Sequence, residues 1–480
     1  MKRTLIAAIL IMVCAANASE TPEWPKNPPN NWLTYHLAHP GPGVGFPGDP
    51  NPAYYYKGQY HLHYIYENDT GFVFAHVSST DMVHWKWHRT VLTPKFTGHG
   101  MYSGTGFFTK QGQPAMVYLG HEEDRPSRIW IMYALDDNLE KWTRPEMIVP
   151  KDDAGKEVEF EYHDPDLWLM DDTYYAMSGG DTLQHIMKSR DLKNWKYIGP
   201  FFHKDYPEHI LGVKRTEDLQ CVNTFKIGNK WMVLGISHPM GCRYYLGDFK
   251  NEQYLPEFHA HMNWAEDGPR QGYFAPESLL TRDGRRVVWA WIRGMELSPK
   301  GVQALPRELD LPDDGLLRIK PLRELEKLRY GRKQQKNITV KSDSEYHLKE
   351  LAGDALELKI TFSAPMPEEF GLHLLGNKEN GKGSMSIITG ANKKVLTVGN
   401  LNAAFQLKKD EDLTLHIFID KNLVEVFAND RQAVSYVHTQ NIRKKPNISL
   451  FTTARDLKVK NITAWNMKPI YQGDTVFKAN

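Results

Sequence analysis

Five polar residues open five similar hairpins, and four of the five are carboxylates. They are Asp49 in "GDPN", Ser103 in "YSGTGFF", Asp164 in "HDPDLW", Glu217 in "TEDLQC" and Glu277 in "APESLL". Acids gathered in one place repel one another, so holding them together lifts at least one pKa. Two carboxyl groups facing one cleft, one ionised and one protonated, are the equipment for breaking a glycosidic bond. The ionised member attacks the anomeric carbon or activates a water, and the protonated member donates to the leaving oxygen. Asp49 suits the first role, because it begins a strand in a tight Gly-Asp-Pro-Asn turn where backbone N–H groups and Asn51 would stabilise its charge. Glu217 suits the second, having the longer reach and acidic neighbours, Asp218 among them, that favour a proton. "DPN" alone is ordinary turn chemistry. Its weight comes from sharing a repeat position with Asp164 and Glu217.

That repeat position rests on a period. Tyr60 in "QYHLHYIY", Val117 in "PAMVYLG", Tyr174 in "TYYAMSG", Trp231 in "KWMVLGIS" and Val288 in "RRVVWAWI" follow one another at intervals of 57 residues. Each strand follows a turn signal: "YKGQ", "KQGQ", "MDDT", "IGNK" and "RDGR". A further unit recurs outside the hairpins, with "DMVHW" at Asp81, "NLEKW" at Asn138, "DLKNW" at Asp191 and a degraded "DFKNE" at Asp248. Five such units predict a five-bladed β-propeller over residues 19–320, in which the five strand starts converge at one mouth of a central channel. A large antiparallel sandwich with accidental spacing is the alternative. Residues 321–336, with Leu322, Leu325 and Leu328 at helical spacing, read as a linker helix. From 337 to 480 the apolar period drops to two, as in Leu356, Leu358, Ile360 and Phe362, which predicts a β-sandwich.

The 59 Lys and Arg nearly balance the 58 Asp and Glu, so the charge gives no sign of nucleic acid or an anionic membrane as partner. The first 18 residues read as a cleavable signal peptide: basic Lys2 and Arg3, an apolar run from Thr4 to Ala15, then Ala16-Asn17-Ala18. A secreted or periplasmic protein is the expectation, with lipoprotein anchoring at Cys14 the less favoured form. No other stretch has the length of a transmembrane helix. Beyond the leader, Cys221 and Cys242 are either a pair or two buried thiols. No C-x-x-C or H-E-x-x-H spacing occurs, so neither a metal nor another cofactor is expected.

With these motifs in order, the chain resembles glycoside hydrolase family 32, the invertase, levanase and inulinase enzymes. "GDPNPAYYYKGQYHLHY" is similar to that family's opening signature, "FAHVSSTDMVHW" to its next landmark, and "YSGTGFF", "HDPDLW" and "EDLQCVNTFKIGNKWMVL" to its three later site motifs. "RRVVWAWI", "LPREL", "PLRELEKLR" and "VEVFAND" continue the match into the sandwich. The resemblance implies Asp49 as nucleophile, Glu217 as general acid/base and Asp164 as transition-state stabiliser, in a retaining mechanism through a covalent fructosyl-enzyme. It places Phe74, Tyr102, Ser103 and His163 around the sugar. The substrate implied is an oligo- or polysaccharide fructoside.

The chain also departs from the family pattern. Gly48, Pro52, Ile65, Phe74 and His163 replace its usual Asn, Gly, Gln, Trp and Arg, and Cys221 comes three residues late. These departures leave the sugar open among a short fructan, sucrose and another fructoside, and they assign no role to Glu277. An inverting arabinan- or xylan-type glycosidase would hold its acids about 6.5–9.5 Å apart, against about 5–5.5 Å for a retaining one. A carbohydrate-binding propeller without turnover is the remaining alternative.

Overall fold

In the computed structural model, residues 21–23, 28–122, 125–263, 272–293, 297, 300–348, 351, 353–376, 384–439 and 447–471 are described. The signal-peptide reading falls outside them. Five sheets follow one another along the chain, built on the innermost strands Pro50–Tyr56, Gly100–Phe108, Pro165–Met170, Gln220–Ile227 and Gly272–Leu280; they are antiparallel except where Pro150–Lys151 adds a parallel edge to the third. The five residues spaced 57 apart all fall in the second strand of their blade. Tyr60 pairs with Tyr55, Tyr174 with Leu169 and Trp231 with Lys226, in one shared register. The period is therefore that of the blade.

The innermost strands carry a local irregularity at the mouth of the channel. Register shifts fall at residues 50–53, 101–104, 220–223 and 274–277, in the first, second, fourth and fifth blades. An extra residue in one strand re-aims its side chains. Here Asn51, Ser103, Cys221 and Ala275 sit within the shifts, and Cys221 and Ala275 hold φ of 47° and 48°. The outer turns also repeat. Asp81 and Asp191 accept backbone N–H bonds from Val83, His84, Lys193 and Asn194, and Trp85, Trp142 and Trp195 are buried behind them. The fourth copy differs from its reading: Asp248 lies inside the strand Gly241–Lys250, and the turn falls at Asn251 and Glu252.

The linker also differs. A 3-10 helix covers only Arg323–Leu328, with Leu325 and Leu328 buried, and residues 329–340 form the first strand of the sandwich, paired antiparallel to Leu457–Met467. This strand lies at a sheet edge and is exposed along nearly its whole length. An edge strand without a buried face carries no alternating apolar signal, so "RYGRKQQK" reads as a continuation of the leucine-spaced linker before it. Two six-stranded sheets then enclose a separate core built on Leu358, Ile360, Phe370, Ile387, Ile417 and Val426. The sandwich packs on the propeller through Phe418, Leu423, Phe427 and Val437, which share a core with the first, fourth and fifth blades.

Candidate active site

A short ring of hydrogen bonds gathers the acids. Ser103 Oγ donates to Asp49 Oδ2 at 2.7 Å, joining the second blade to the first. Cys221, from the fourth blade, donates its thiol to Asp164 Oδ2 at 3.2 Å, and its Sγ lies 4.0 Å from Asp49 Oδ2. Its backbone N–H also reaches Asp164, at 3.3 Å. Three blades thus meet on one thiol. The left-handed φ at Cys221 is unusual for a residue with a side chain, and it turns the thiol between the two carboxylates. Cys221 and Cys242 are both free thiols, which settles the open question of their pairing.

Glu217 reaches the same mouth by a different route. It lies in the loop before the fourth blade's innermost strand, and that loop is bridged to the third blade where Gly180 and Leu219 exchange backbone bonds of 3.0 and 3.1 Å. Gln184 Nε2 donates to the Glu217 carbonyl at 3.1 Å, and Ser237 Oγ donates to its carboxylate Oε1 at 2.7 Å. Asp218, the next residue, is fully engaged elsewhere: Oδ2 accepts both the backbone N–H and Nδ1 of His238, and Oδ1 accepts Gln220 Nε2.

Electrostatics separate these groups. Burial pushes Asp49 up to about 7, with the nearby Asp164 charge adding to it; Ser103, Arg293 and His238 oppose the rise. Burial also raises Asp164, against the Cys221 bonds that lower it. The hydrogen bonds and pairing with His238 keep Asp218 below the usual range despite its burial. The turn around Asp49 supplies less than the sequence suggested. Among the described residues its carboxylate takes no bond from a backbone N–H or from Asn51; Ser103 is its one short donor there, and Oδ1 is buried without a partner.

The other site residues divide. Ser103 and His163 are at the mouth. The His163 backbone N–H is held by Ser178 Oγ at 3.0 Å, while its ring lies 3.6 Å from Glu161 and 4.0 Å from Asp181. Tyr102 is half-buried at the rim against Phe72 and His121. Asn51 is buried, with its Oδ1 unpartnered. Phe74 is 1% exposed and packs among Tyr54, Ile65, Leu92 and Tyr118, so its own surface offers nothing to a sugar. Ile65 lies in that same core. A side chain at Gly48 would strike Trp291 and the backbone of Gly301, each within 2.9 Å, which accounts for a glycine before the acid. Glu161, His163 and Asp181 offer ligand atoms within 4.8 Å of one another, a grouping that could hold a metal ion, with both acids largely exposed.

Glu277 is not at the mouth. It is 1% exposed, one tier deeper, accepting Ala53 N–H at 2.8 Å and Asn223 Nδ2 at 3.1 Å. Asp166 occupies the same tier, accepting Thr105 Oγ1 at 2.9 Å and the Thr224 N–H at 2.6 Å. Together these acids tie blade five to one, four to five, two to three and three to four. They are staples of the ring, and burial raises both. Below them the other end of the channel opens as a cavity of ≈ 520 Å³ walled by Phe107, Trp168, Phe225 and Arg286.

Sequence reasoning did not assign Cys221, Ser237 or His238. A geometric signal was available: the second strand of a hairpin ends beside the start of the first. Residues following "VLGI" must therefore lie at the mouth.

Comparison with known proteins accords with this geometry. The model of the glycosyl hydrolases family 32 N-terminal domain matches residues 39–321, and that of the family 32 C terminal matches residues 324–466. The chain is 25% identical to a sucrose-6-phosphate hydrolase of Zymomonas mobilis, covering 82% of this chain and 84% of that one. It is 26% identical to a levanase of Bacillus subtilis, over 99% of this chain and 76% of the relative. Among solved structures, fructan 1-exohydrolase IIa from Cichorium intybus superposes with a TM-score of 0.77 at 18% identity, over 92% and 98% of the two chains. At that identity the superposition speaks for the fold alone.

Proposed function

Because this chain belongs to glycosyl hydrolases family 32, we propose that it cleaves β-fructofuranosyl linkages of sucrose, a fructan or a related fructoside through a covalent fructosyl-enzyme. Asp49 attacks the anomeric carbon while Glu217 donates a proton to the leaving oxygen. Glu217 then takes a proton from the incoming water, which attacks the same carbon and frees Asp49, so the configuration is retained. Asp164 accepts hydrogen bonds from the sugar hydroxyls as positive charge develops on the ring.

The observation that carries this reading is the meeting of Asp49 and Asp164 on the Cys221 thiol, with Glu217 held at the same mouth by Ser237. The acid pushed up to about 7 is the one assigned to attack, so the free enzyme gains its ionised nucleophile as the pH passes through neutrality. The relatives named for levan and sucrose 6-phosphate support a fructoside without choosing a linkage.

Fructose release from sucrose, inulin and levan, compared with an Asp49→Ala variant, tests the proposal. Release that depends on Asp49 supports it. Sugar binding with no release would favour the non-catalytic alternative, and release with inversion would favour an inverting glycosidase. The basic, apolar and Ala-Asn-Ala order of the first 18 residues supports export, which the N-terminal sequence of the mature protein would check.

A further inference from the structure

The channel has two ends, and the acids of the mouth occupy one of them. In each blade the first strand runs away from the mouth and the second runs back. The far end therefore collects the last residues of the one and the first residues of the other. There Phe107 and Phe108 of the second blade, Trp168 of the third, Phe225 and Trp231 of the fourth and Arg286 of the fifth wall the cavity of ≈ 520 Å³. None of Asp49, Asp164 and Glu217 lines it. Its rim meets solvent at Phe108 and Leu169, each 38% exposed, and at Lys226. This size, with aromatic walls and a few polar groups, is that of a small-molecule site.

Two of the polar groups are donors without an acceptor. Arg286 Nε is buried and unpartnered, and the one hydrogen bond of this guanidinium among the described residues is long, from Nη1 to Ser278 Oγ at 3.4 Å. The guanidinium lies over the Phe225 ring, 4.2 Å from its centre. Trp168, 7% exposed, likewise has its Nε1 buried without a partner. Buried donors cost stability unless something accepts from them. The repeat does not call for the arginine, since the other blades have Gly58, Ala115, Asp172 and Asn229 at the same position, 57 residues apart. Nor does an acid hold it. Glu277 and Asp166 act on its charge, but their oxygens accept from Ala53, Asn223, Thr105 and Thr224.

The charges of the lining select the ligand. An anion would add to the repulsion among Asp166, Asp171 and Glu277, which share the cavity with Lys226 and Arg286. A neutral sugar ring suits both halves of the wall. Its C–H faces lie against the aromatic rings, and its hydroxyl oxygens accept from Arg286 and Trp168.

We propose that the far end of the channel is a second saccharide site, which takes one neutral sugar ring beside Trp168, Phe225 and Trp231 with Arg286 Nε as donor. The ring is that of a free sugar or of one unit in a fructan chain. The site goes beyond the hydrolytic reading and does not rest on it, because no residue of the mouth takes part.

Isotope-labelled tryptophan reports on the site directly. In the unmodified chain titrated with free fructose, the indole N–H resonances of Trp168 and Trp231, assigned through Trp168→Phe and Trp231→Phe, should shift. Arg286→Gln should weaken that response about tenfold, the worth of one hydrogen bond from a charged group. Phe108→Ala, a change at the exposed rim, should weaken it less, and thermal unfolding shows that each variant is folded. Kinetics then separate the two sources of the ring. If the site holds a fructan unit, Arg286→Gln raises KM for inulin and leaves kcat and KM for sucrose unchanged; if it holds a free sugar, both KM values stay while the indole signals respond. Trp168 and Trp231 signals that stay fixed at every fructose concentration would overturn the proposal. So would a response to inorganic phosphate and not to fructose, or a folded Arg286→Gln protein that titrates like the unmodified chain. Failure of the unmodified chain to release fructose from any fructoside would instead remove the hydrolase reading and leave the indole titration to decide this one.

Discussion

Buried carboxylates occur both in the channel and where the sandwich meets the propeller, and their surroundings differ. Glu425, in the sandwich, accepts Leu305 N–H at 2.7 Å and Ser435 Oγ at 2.6 Å, and it lies 3.2 Å from His36 Nε2 and 3.6 Å from Arg307. Asp420 accepts three backbone N–H groups, from Thr34, Tyr35 and His36, and pairs with His36 Nδ1 at 2.8 Å. Glu357 is gripped by Arg329 and His416. Despite burial, these partners hold Glu425 and Glu357 below the usual range. In the channel Asp49, Asp166 and Glu277 have hydroxyl, amide or backbone donors and no cation within ion-pair distance among the described residues, and burial raises all three. Pairing with a cation fixes an acid in its charged state; leaving it without one keeps it able to change its protonation state, whether it attacks, as assigned to Asp49, or staples blades, as Asp166 and Glu277 do.

Removing one acid from each region should therefore have opposite signatures. The largest effect is expected at Asp49→Asn, a loss of kcat by about four orders of magnitude or more. Its thermal stability should be equal to or above that of the unmodified chain, most visibly at alkaline pH, as calorimetry would show. The sign follows from the raised pKa: ionised Asp49 is disfavoured in the fold, so its cost is absent below the unfolded value of 3.8 and is complete above about 7. Glu425→Ala should do the reverse. It strands His36 and Arg307, which costs roughly 3–5 kcal/mol in a denaturant titration while sparing kcat where the protein stays folded.

A pH series on stability sharpens the contrast further. The contribution of Glu357 and Glu425 is present above their unfolded value of 4.5 and is lost as the pH falls through their lowered folded values. His36, raised to about 9, stabilises fully below 6.5 and loses its contribution as the pH rises through 9. The stacked histidines of the first blade act in the opposite sense. Burial lowers His61 to about 4 and His63 to about 3, so stability should fall as the pH drops below 6.5, by at most about 1.4 kcal/mol per unit for each ring. Replacing His63 by Leu should flatten that acid slope; an unchanged slope would mean that the ring takes up its proton equally in the folded and unfolded states. The smallest effect is expected at Glu277→Gln. One amide proton would face the Asn223 amide it should accept from, for a loss of about 1 kcal/mol with kcat nearly unchanged.

What the sequence made legible follows the same division. The blades were readable because each is one supersecondary unit with a fixed length, and that regularity survives in Tyr60, Val117, Tyr174, Trp231 and Val288. The mouth acids were readable because their repeat position fixes their height in the channel. Glu277 was misplaced by one tier because the bulge before it shifts the register, and a bulge leaves no composition signal. Phe74 was assigned to the pocket by motif correspondence, which does not report on which side of a strand the space lies; here the space is taken up by packing against the second blade. His238 sits in a loop with no motif, so only the strand pairing reveals it. Residues 329–336 read as part of the linker helix because an exposed edge strand has no alternation to show.

The central claim is that Asp49 forms the bond to the sugar. Mass spectrometry of the Glu217→Gln variant, quenched during reaction with a fructoside bearing a leaving group that needs no proton, tests it directly. The expected result is one fructosyl residue on the peptide that contains Asp49. An adduct on another residue, or turnover of that substrate with inverted product and no adduct, would contradict it.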